Sequence, residues 1–85
     1  MAIDILYFAW VREAIGTGAE LVEPPAAVVT IGDLIGWLAG RSPGHARALA
    51  DPARLRAAID QRFVPLDSAI AGAREIAIFP PVTGG

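Results

Sequence analysis

Cysteine and lysine are both missing from this chain, and histidine occurs once, at His45. Without cysteine there is no disulfide, no thiolate nucleophile and no thiolate-based metal site. One histidine cannot build a zinc site by itself. In the polar stretch after Pro43-Gly44 it reads as a solvated loop or helix residue, so no metal is expected. Ser42 and Ser68 have no base evidently fixed beside them, and a serine nucleophile is not expected either. No apolar run approaches the roughly 20 residues that span a bilayer, so no membrane association is expected. Met1-Ala2-Ile3-Asp4 lacks the basic start and cleavage site of a secretory signal, which makes the cytoplasm the expected location. A net charge of −2 provides no concentrated positive face for nucleic acid. These absences leave a chain without conventional catalytic machinery, one that is not expected to be an enzyme alone.

What is present is a foldable sequence with an unusual ending. Hydrophobic residues make up 54% of the 85 positions and charged residues 19%, which fits one modest globular core and no disordered tract. The last seven residues read Phe79-Pro80-Pro81-Val82-Thr83-Gly84-Gly85. Two prolines remove two amide donors and lock φ, so the strand before them cannot continue. Two glycines then follow, which lose the most entropy on ordering and have no side chain to pack. The expected result is a stiff exit and a thin, flexible tip bearing a carboxylate. Extended, the six residues from Pro80 reach roughly 20 Å, enough to enter a narrow channel on another protein. All seven basic residues are arginine, so an activated C-terminal acyl group would meet no side-chain amine on its own chain.

Residues 2–12 alternate as a strand, with Ile3, Ile5, Tyr7 and Val11 on one face and Leu6, Phe8, Trp10 and Arg12 on the other. Residues 13–18 supply a loop, and residues 19–23 alternate again to complete a hairpin that Pro24-Pro25 ends. Thr30 is the expected N-cap of a helix, with Asp33 in its first turn and an apolar stripe at Ile31, Leu34, Ile35 and Leu38. Gly40 stops it. Ser42 and Pro43 open a second, short helix. A third strand is read over residues 55–60, a turn at Gln61-Arg62, a stub at Phe63-Val64, and a last strand over residues 74–79. The order β-β-α-β-β predicts an α+β fold of the β-grasp type. Its mixed sheet carries one main helix on one face, and its first and last strands form a central parallel pair. The domain is assigned to residues 1–79 and the projecting tail to residues 80–85.

With Ile3, Ile5 and Tyr7 under the helix, Leu6, Phe8 and Trp10 face away from it, joined by Phe79 and Phe63. Large apolar residues on the open side of a one-layer sheet form a patch that calls for a partner. Aromatics beside an arginine, here Arg12, have the composition of an interface hot spot.

These residues carry a family likeness. The ending Phe79 to Gly85, the opening Tyr7-Phe8-Ala9 with Val11-Arg12-Glu13 and Gly16, the run Ala57-Ala58-Ile59-Asp60-Gln61 and the stretch from Asp67 to Glu75 together resemble the ubiquitin-like sulfur carriers that form the small subunit of molybdopterin synthase. The likeness covers most of the chain; it departs at Asp60, where asparagine is the more familiar residue. It implies a sulfur carrier in molybdenum cofactor biosynthesis. An ATP-using activating enzyme would adenylate Gly85, and sulfur would then replace the adenylate to give a thiocarboxylate. The tail, Pro80, Pro81, Val82, Thr83 and Gly84, would enter the large subunit of the synthase, in an expected heterotetramer, and deliver sulfur to cyclic pyranopterin monophosphate. Phe8, Arg12, Phe63 and Phe79 would form the partner-binding surface, and no cofactor would be held stably. A thiamine-pathway sulfur carrier shares the fold and the diglycine, and a ubiquitin-like protein modifier or a plain binding module are alternatives of a different class.

Overall fold

The structure is a computed structural model that describes residues 2–81. Five strands form one mixed sheet: β1 (Ile3–Tyr7), β2 (Ala19–Val22), β3 (Arg56–Ile59), β4 (Arg62–Val64) and β5 (Glu75–Phe79). Their order is β2-β1-β5-β3-β4. The central pair, β1 and β5, is parallel, with Ile5 beside Ile76 and Tyr7 beside Ile78; every other pairing is antiparallel. Alternation sends Ile3, Ile5, Tyr7, Ile76 and Ile78 to one face, where all are buried. The β-grasp reading and its parallel pair are therefore realised.

The helices differ from the expected layout. The first strand stops at Tyr7, and α1 (Ala9–Ile15) occupies residues read as strand and loop; α2 (Ile31–Ala39) and α3 (Pro43–Ala48) follow. The five strands, the main helix and the short helix after Ser42 are as expected, and α1 is the addition. Val11, Ala14 and Ile15 explain α1: they recur at helical spacing and pack onto the core, Val11 completely. Gly16 ends the helix at φ 94, with its amide donating to Arg12 O at 2.8 Å, a left-handed position that glycine fills without a Cβ penalty. Gly44 in α3 lies so close to α1 that a Cβ there would stand 2.5 Å from Ala14 O. That contact fixes how α3 sits on α1.

Helix α2 begins as read. Thr30 accepts from the Asp33 amide, and Asp33 Oδ2 accepts from the Thr30 and Val29 amides, each at 3.1 Å. These backbone bonds hold the Asp33 carboxyl below its ordinary pKa. Ile31, Leu34, Ile35 and Leu38 are fully buried against the sheet, each worth roughly 2 kcal/mol in transfer terms.

His45 is not solvated. It is only 8% exposed, because α3 carries it into a polar cluster beneath the edge of the sheet. Its Nε2 lies 2.7 Å from Glu20 Oε2, its Nδ1 2.7 Å from Ser42 Oγ, and Tyr7 donates its hydroxyl to the same Glu20 oxygen at 2.7 Å. Arg41 Nε reaches Glu20 Oε1 at 3.2 Å. Burial, then the Glu20 hydrogen bond and charge, pushes the Tyr7 phenol far up. For Glu20, burial alone would raise the carboxyl, but hydrogen bonds from His45 and Tyr7 and the nearby positive charge outweigh it and hold the group low. Ser42 does have a base beside it, contrary to expectation. The serine, histidine and glutamate have the composition of a hydrolytic triad. Yet Ser42 Oγ also accepts from the His45 amide at 3.1 Å as the α3 cap, and the set ties α3 to β1 and β2 as a structural clasp.

The β3–β4 turn is a second polar device. Asp60 and Gln61 adopt φ 48 and φ 71, the paired left-handed geometry of a tight hairpin, which disfavours both side chains. Asp60 Oδ1 compensates by accepting from the Arg74 and Glu75 amides at 3.1 and 2.9 Å, tying the turn to the start of β5.

Two stability measurements check this account. Asp60→Ala is expected to lower stability by about 1–2 kcal/mol, since two charge-assisted bonds go, whereas Asp60→Asn, which keeps the acceptor and suits the left-handed turn, should not; chemical denaturation distinguishes them. Because Glu20 is held below its ordinary 4.5 when folded, its contribution is complete above that value and is lost as pH falls through the lowered one. Glu20→Gln should flatten the decline in melting temperature below pH 4.5, leaving the decline that Asp33 produces by the same sign.

Candidate functional site

The open face of the sheet can be read row by row from the strand register. The middle row is apolar across the sheet, through Leu6, Ala77, Ala58 and Phe63. At the end where β5 gives way to Pro80, Phe79 lies beside Phe63 with ring centroids 5.5 Å apart. Phe8 follows β1 on the same side, held by its amide donating to Ile78 O at 3.3 Å. Phe8 is 47% and Phe63 79% exposed, and with Phe79 they border one apolar hollow, the kind of contiguous patch that marks an interaction surface.

These rings wall an open apolar hollow of about 450 Å³, with Ala58 and Ala77 lining it as well and Pro80 and Pro81 at its border. Small alanines at the centre and phenylalanines around them give a concave floor with raised sides. Ala9, at its margin, has φ 54. This left-handed residue costs about 1–2 kcal/mol relative to a relaxed one and turns the chain sharply from β1 into α1. That turn leaves Phe8 projecting at the rim of the hollow.

The structure therefore gathers Phe8, Phe63, Phe79, Pro80 and Pro81, as the sequence suggests. Arg12 is set apart. It belongs to α1, and its guanidinium lies over Gly18, close enough that a side chain there would crowd it at about 3.0 Å. Trp10, assigned to the open face by strand alternation, is instead half-buried on α1 with Arg54 stacked 5.0 Å from its ring centroid. Ala9 and Gln61 also border the hollow; the turn expected at Gln61-Arg62 lies one residue earlier, at Asp60-Gln61, and the left-handed Ala9 has no signal in its residue type. Val82, Thr83, Gly84 and Gly85 lie outside the described residues.

Among the described residues no group of histidines and carboxylates could hold a metal ion, and no helix is long and apolar enough to cross a membrane. The hollow itself offers no acid, base or nucleophile. Chemically it can do one thing, which is to bury apolar surface against another molecule next to the point where residues 80–81 leave the sheet.

A five-stranded mixed sheet in the β-grasp order, with an apolar open face beside Pro80 and Pro81, is the fold of the ubiquitin-like carriers. The chain belongs to the ThiS family, whose model matches residues 5–85. It is 42% identical over 83 residues to the molybdopterin synthase sulfur carrier subunit of Escherichia coli, covering 98% of this chain and 99% of that protein. With the molybdopterin synthase sulfur carrier subunit of Haemophilus influenzae it shares 41% identity, over 98% and 99% of the two chains. Among solved structures, SAMP1 from Haloferax volcanii superposes with a TM-score of 0.73 at 26% identity, each chain being covered completely.

Proposed function

We propose that this protein is the sulfur carrier subunit of a molybdopterin synthase, acting in molybdenum cofactor biosynthesis and performing no catalysis alone. The observation that carries this reading is the 42% identity across nearly the whole of both chains, joined to an apolar hollow bordered by Pro80 and Pro81. In this reading residues 1–79 are the docking domain and residues 80–85 the delivered tail.

A carboxylate is inert toward nucleophiles, because its charge repels them and oxide is a poor leaving group. Activation therefore has to come first. The chain has no phosphate-binding loop, so ATP is used by a partner: the Gly85 carboxylate attacks the α-phosphate, pyrophosphate leaves, and an acyl adenylate results. A sulfur nucleophile then displaces AMP to leave a thiocarboxylate. The loaded tail enters the large subunit, where sulfur passes to cyclic pyranopterin monophosphate and the terminus returns to a carboxylate. Gly84 and Gly85 let the backbone approach closely in a crowded channel. The absence of cysteine leaves Gly85 as the one position where this chain would carry sulfur. Phe8, Phe63 and Phe79 dock on the large subunit in a heterotetramer, with Arg12 to one side of them, and the site of action is the cytoplasm.

The test is the intact mass of the protein after incubation with its host's activating enzyme, ATP and a sulfur source. A shift equal to one oxygen replaced by sulfur is expected at Gly85, and deletion of Gly85 should abolish it without changing the melting temperature. No shift, with the activating enzyme shown competent on another carrier, would redirect the assignment to a protein modifier or a binding module. Docking is checked separately. Phe8→Asp and Phe63→Asp should weaken binding to the large subunit by at least about tenfold, because each buries an unpaired charge. Both positions are exposed in the free protein, so folding should survive; unchanged affinity would remove these rings from the interface.

A further inference from the structure

The open sheet face is not uniformly apolar. Its outward-facing strand positions carry carboxylates at one end and an arginine at the other, with Arg74 bordering the same hollow as Asp60 and Glu75 at the carboxylate end. At the end where β5 starts, Asp4 and Glu75 stand directly side by side on the parallel central pair, an arrangement of like charges that a sheet does not favour by itself. The Asp60 turn adjoins them, its amide donating to Glu75 O at 2.9 Å. At the opposite end, where the chain leaves toward Pro80, Arg56 stands beside Phe79 in the register of β3 and β5. The apolar row lies between. Glu75 and Phe79 are four residue steps apart along β5, about 13 Å at 3.3 Å per residue.

Arg56 is held in place without being neutralised. Its Nη1 donates to Leu55 O at 2.8 Å and to Ala53 O at 3.2 Å, which fixes the guanidinium at the border of a hollow it shares with Phe63 and Phe79. Two residues earlier, Arg54 stacks on Trp10. Among the described residues the ion pairs are those of Glu20 with Arg41 and His45, so neither Arg54 nor Arg56 is paired with a carboxylate. A pre-positioned, unpaired guanidinium next to a desolvating aromatic surface is suited to a carboxylate supplied from outside, in the bidentate geometry that lysine cannot match.

We propose that this charge polarity sets the orientation of the docked complex: Arg56, with Arg54 behind it, meets one or more carboxylates on the large subunit at the mouth of the channel that receives the tail, while Asp4 and Glu75 meet a basic surface at the far side of the same interface. The inference rests on the docking face proposed above. It adds the charge character of the partner and a reason why the face binds in one of its two orientations. Apolar contact alone is non-directional. A sheet face with similar small and large side chains in its middle row would tolerate reversal, and a reversed complex points the tail away from its channel. Opposite charges at the two ends make the reversed arrangement repulsive at both, so the carrier is steered before contact and registered after it.

Binding of the whole protein to the large subunit of its own synthase tests this, by titration calorimetry at several salt concentrations. Arg56→Glu is expected to weaken affinity about tenfold or more, and Arg56→Gln to weaken it less while flattening the salt dependence. Arg47→Glu, the same change in charge on exposed α3, should leave affinity and salt dependence as they are. Melting temperatures confirm that each variant is folded, and Arg56→Lys, which keeps the charge but loses the fork, should fall between wild type and Arg56→Gln. If Arg56→Glu and Arg56→Gln bind like wild type while Phe63→Asp still fails to bind, the docking face stands and the charge proposal is overturned. If Phe63→Asp also binds normally, the docking face itself is wrong and the charge proposal goes with it. Equal losses from Arg56→Glu and Arg47→Glu would mean a general effect of net charge, and would overturn the proposal as well.

Discussion

Parallel pairing of β1 with β5 at the centre of the sheet is the constraint from which the rest of the architecture follows. Two strands from opposite ends of the chain can lie parallel only if everything between them forms a crossover, and that crossover must cover one face of the sheet. Helix α2 does so with four completely buried side chains. Among the described residues the crossover lies on that face alone, and alanine and phenylalanine stay open on the other. Parallelism also places the exits of both strands at the same edge: Phe8 leaves β1 and Pro80 leaves β5 side by side, bridged by the Phe8 amide and Ile78 O. The exposed ring and the departing segment are neighbours because the central strands run in the same direction.

Much of this was legible from residue patterns, because the patterns were local. The strands at Ile3–Tyr7, Ala19–Val22 and Glu75–Phe79 alternate cleanly, and the Thr30 cap with its buried stripe announces α2. The failure at α1 is instructive. Ile3, Ile5, Tyr7, Ala9 and Val11 continue a period of two without a break, and neither proline nor glycine interrupts them. The strand ends because Ala9 takes φ 54, a conformation that alanine does not advertise. The competing signal, Val11 with Ala14 and Ile15 at helical spacing, was present but short. Placing Trp10 and Arg12 on the open face was a direct consequence of extending that strand too far, whereas Phe8 and Phe79 were placed correctly because they depend only on the true strands.

His45 was illegible for a different reason. Its surroundings in sequence are polar and helix-starting, which describes a surface residue. Its burial depends on Glu20, 25 positions away, and on Tyr7 from the central strand. Long-range polar clusters of this kind have no periodicity, and a single sequence contains no signal that pairs their members. The same holds for Asp60. It departs from the familiar asparagine, yet one carboxylate oxygen receives both amides, and a carboxylate accepts as well as an amide oxygen does.

The proposed division of labour between domain and tail follows from what each can supply. The six residues from Pro80 onward are too few to bind tightly by themselves while remaining free to leave: ordering such a segment costs roughly 1–2 kcal/mol per residue in backbone entropy alone. A folded face with exposed rings has no such cost, since its rings are already positioned. Under the proposed function, docking through that face would make tail insertion an intramolecular step at a high effective concentration, so the tail would need no strong affinity of its own and could withdraw once its cargo is gone. The prolines contribute by removing freedom before binding, which reduces the entropy still to be lost. A carrier has to be taken up and released in every round, and the proposed arrangement would place the affinity in the sheet, where a few side chains can tune it, and the chemistry at a terminus that would contribute little to holding the complex together.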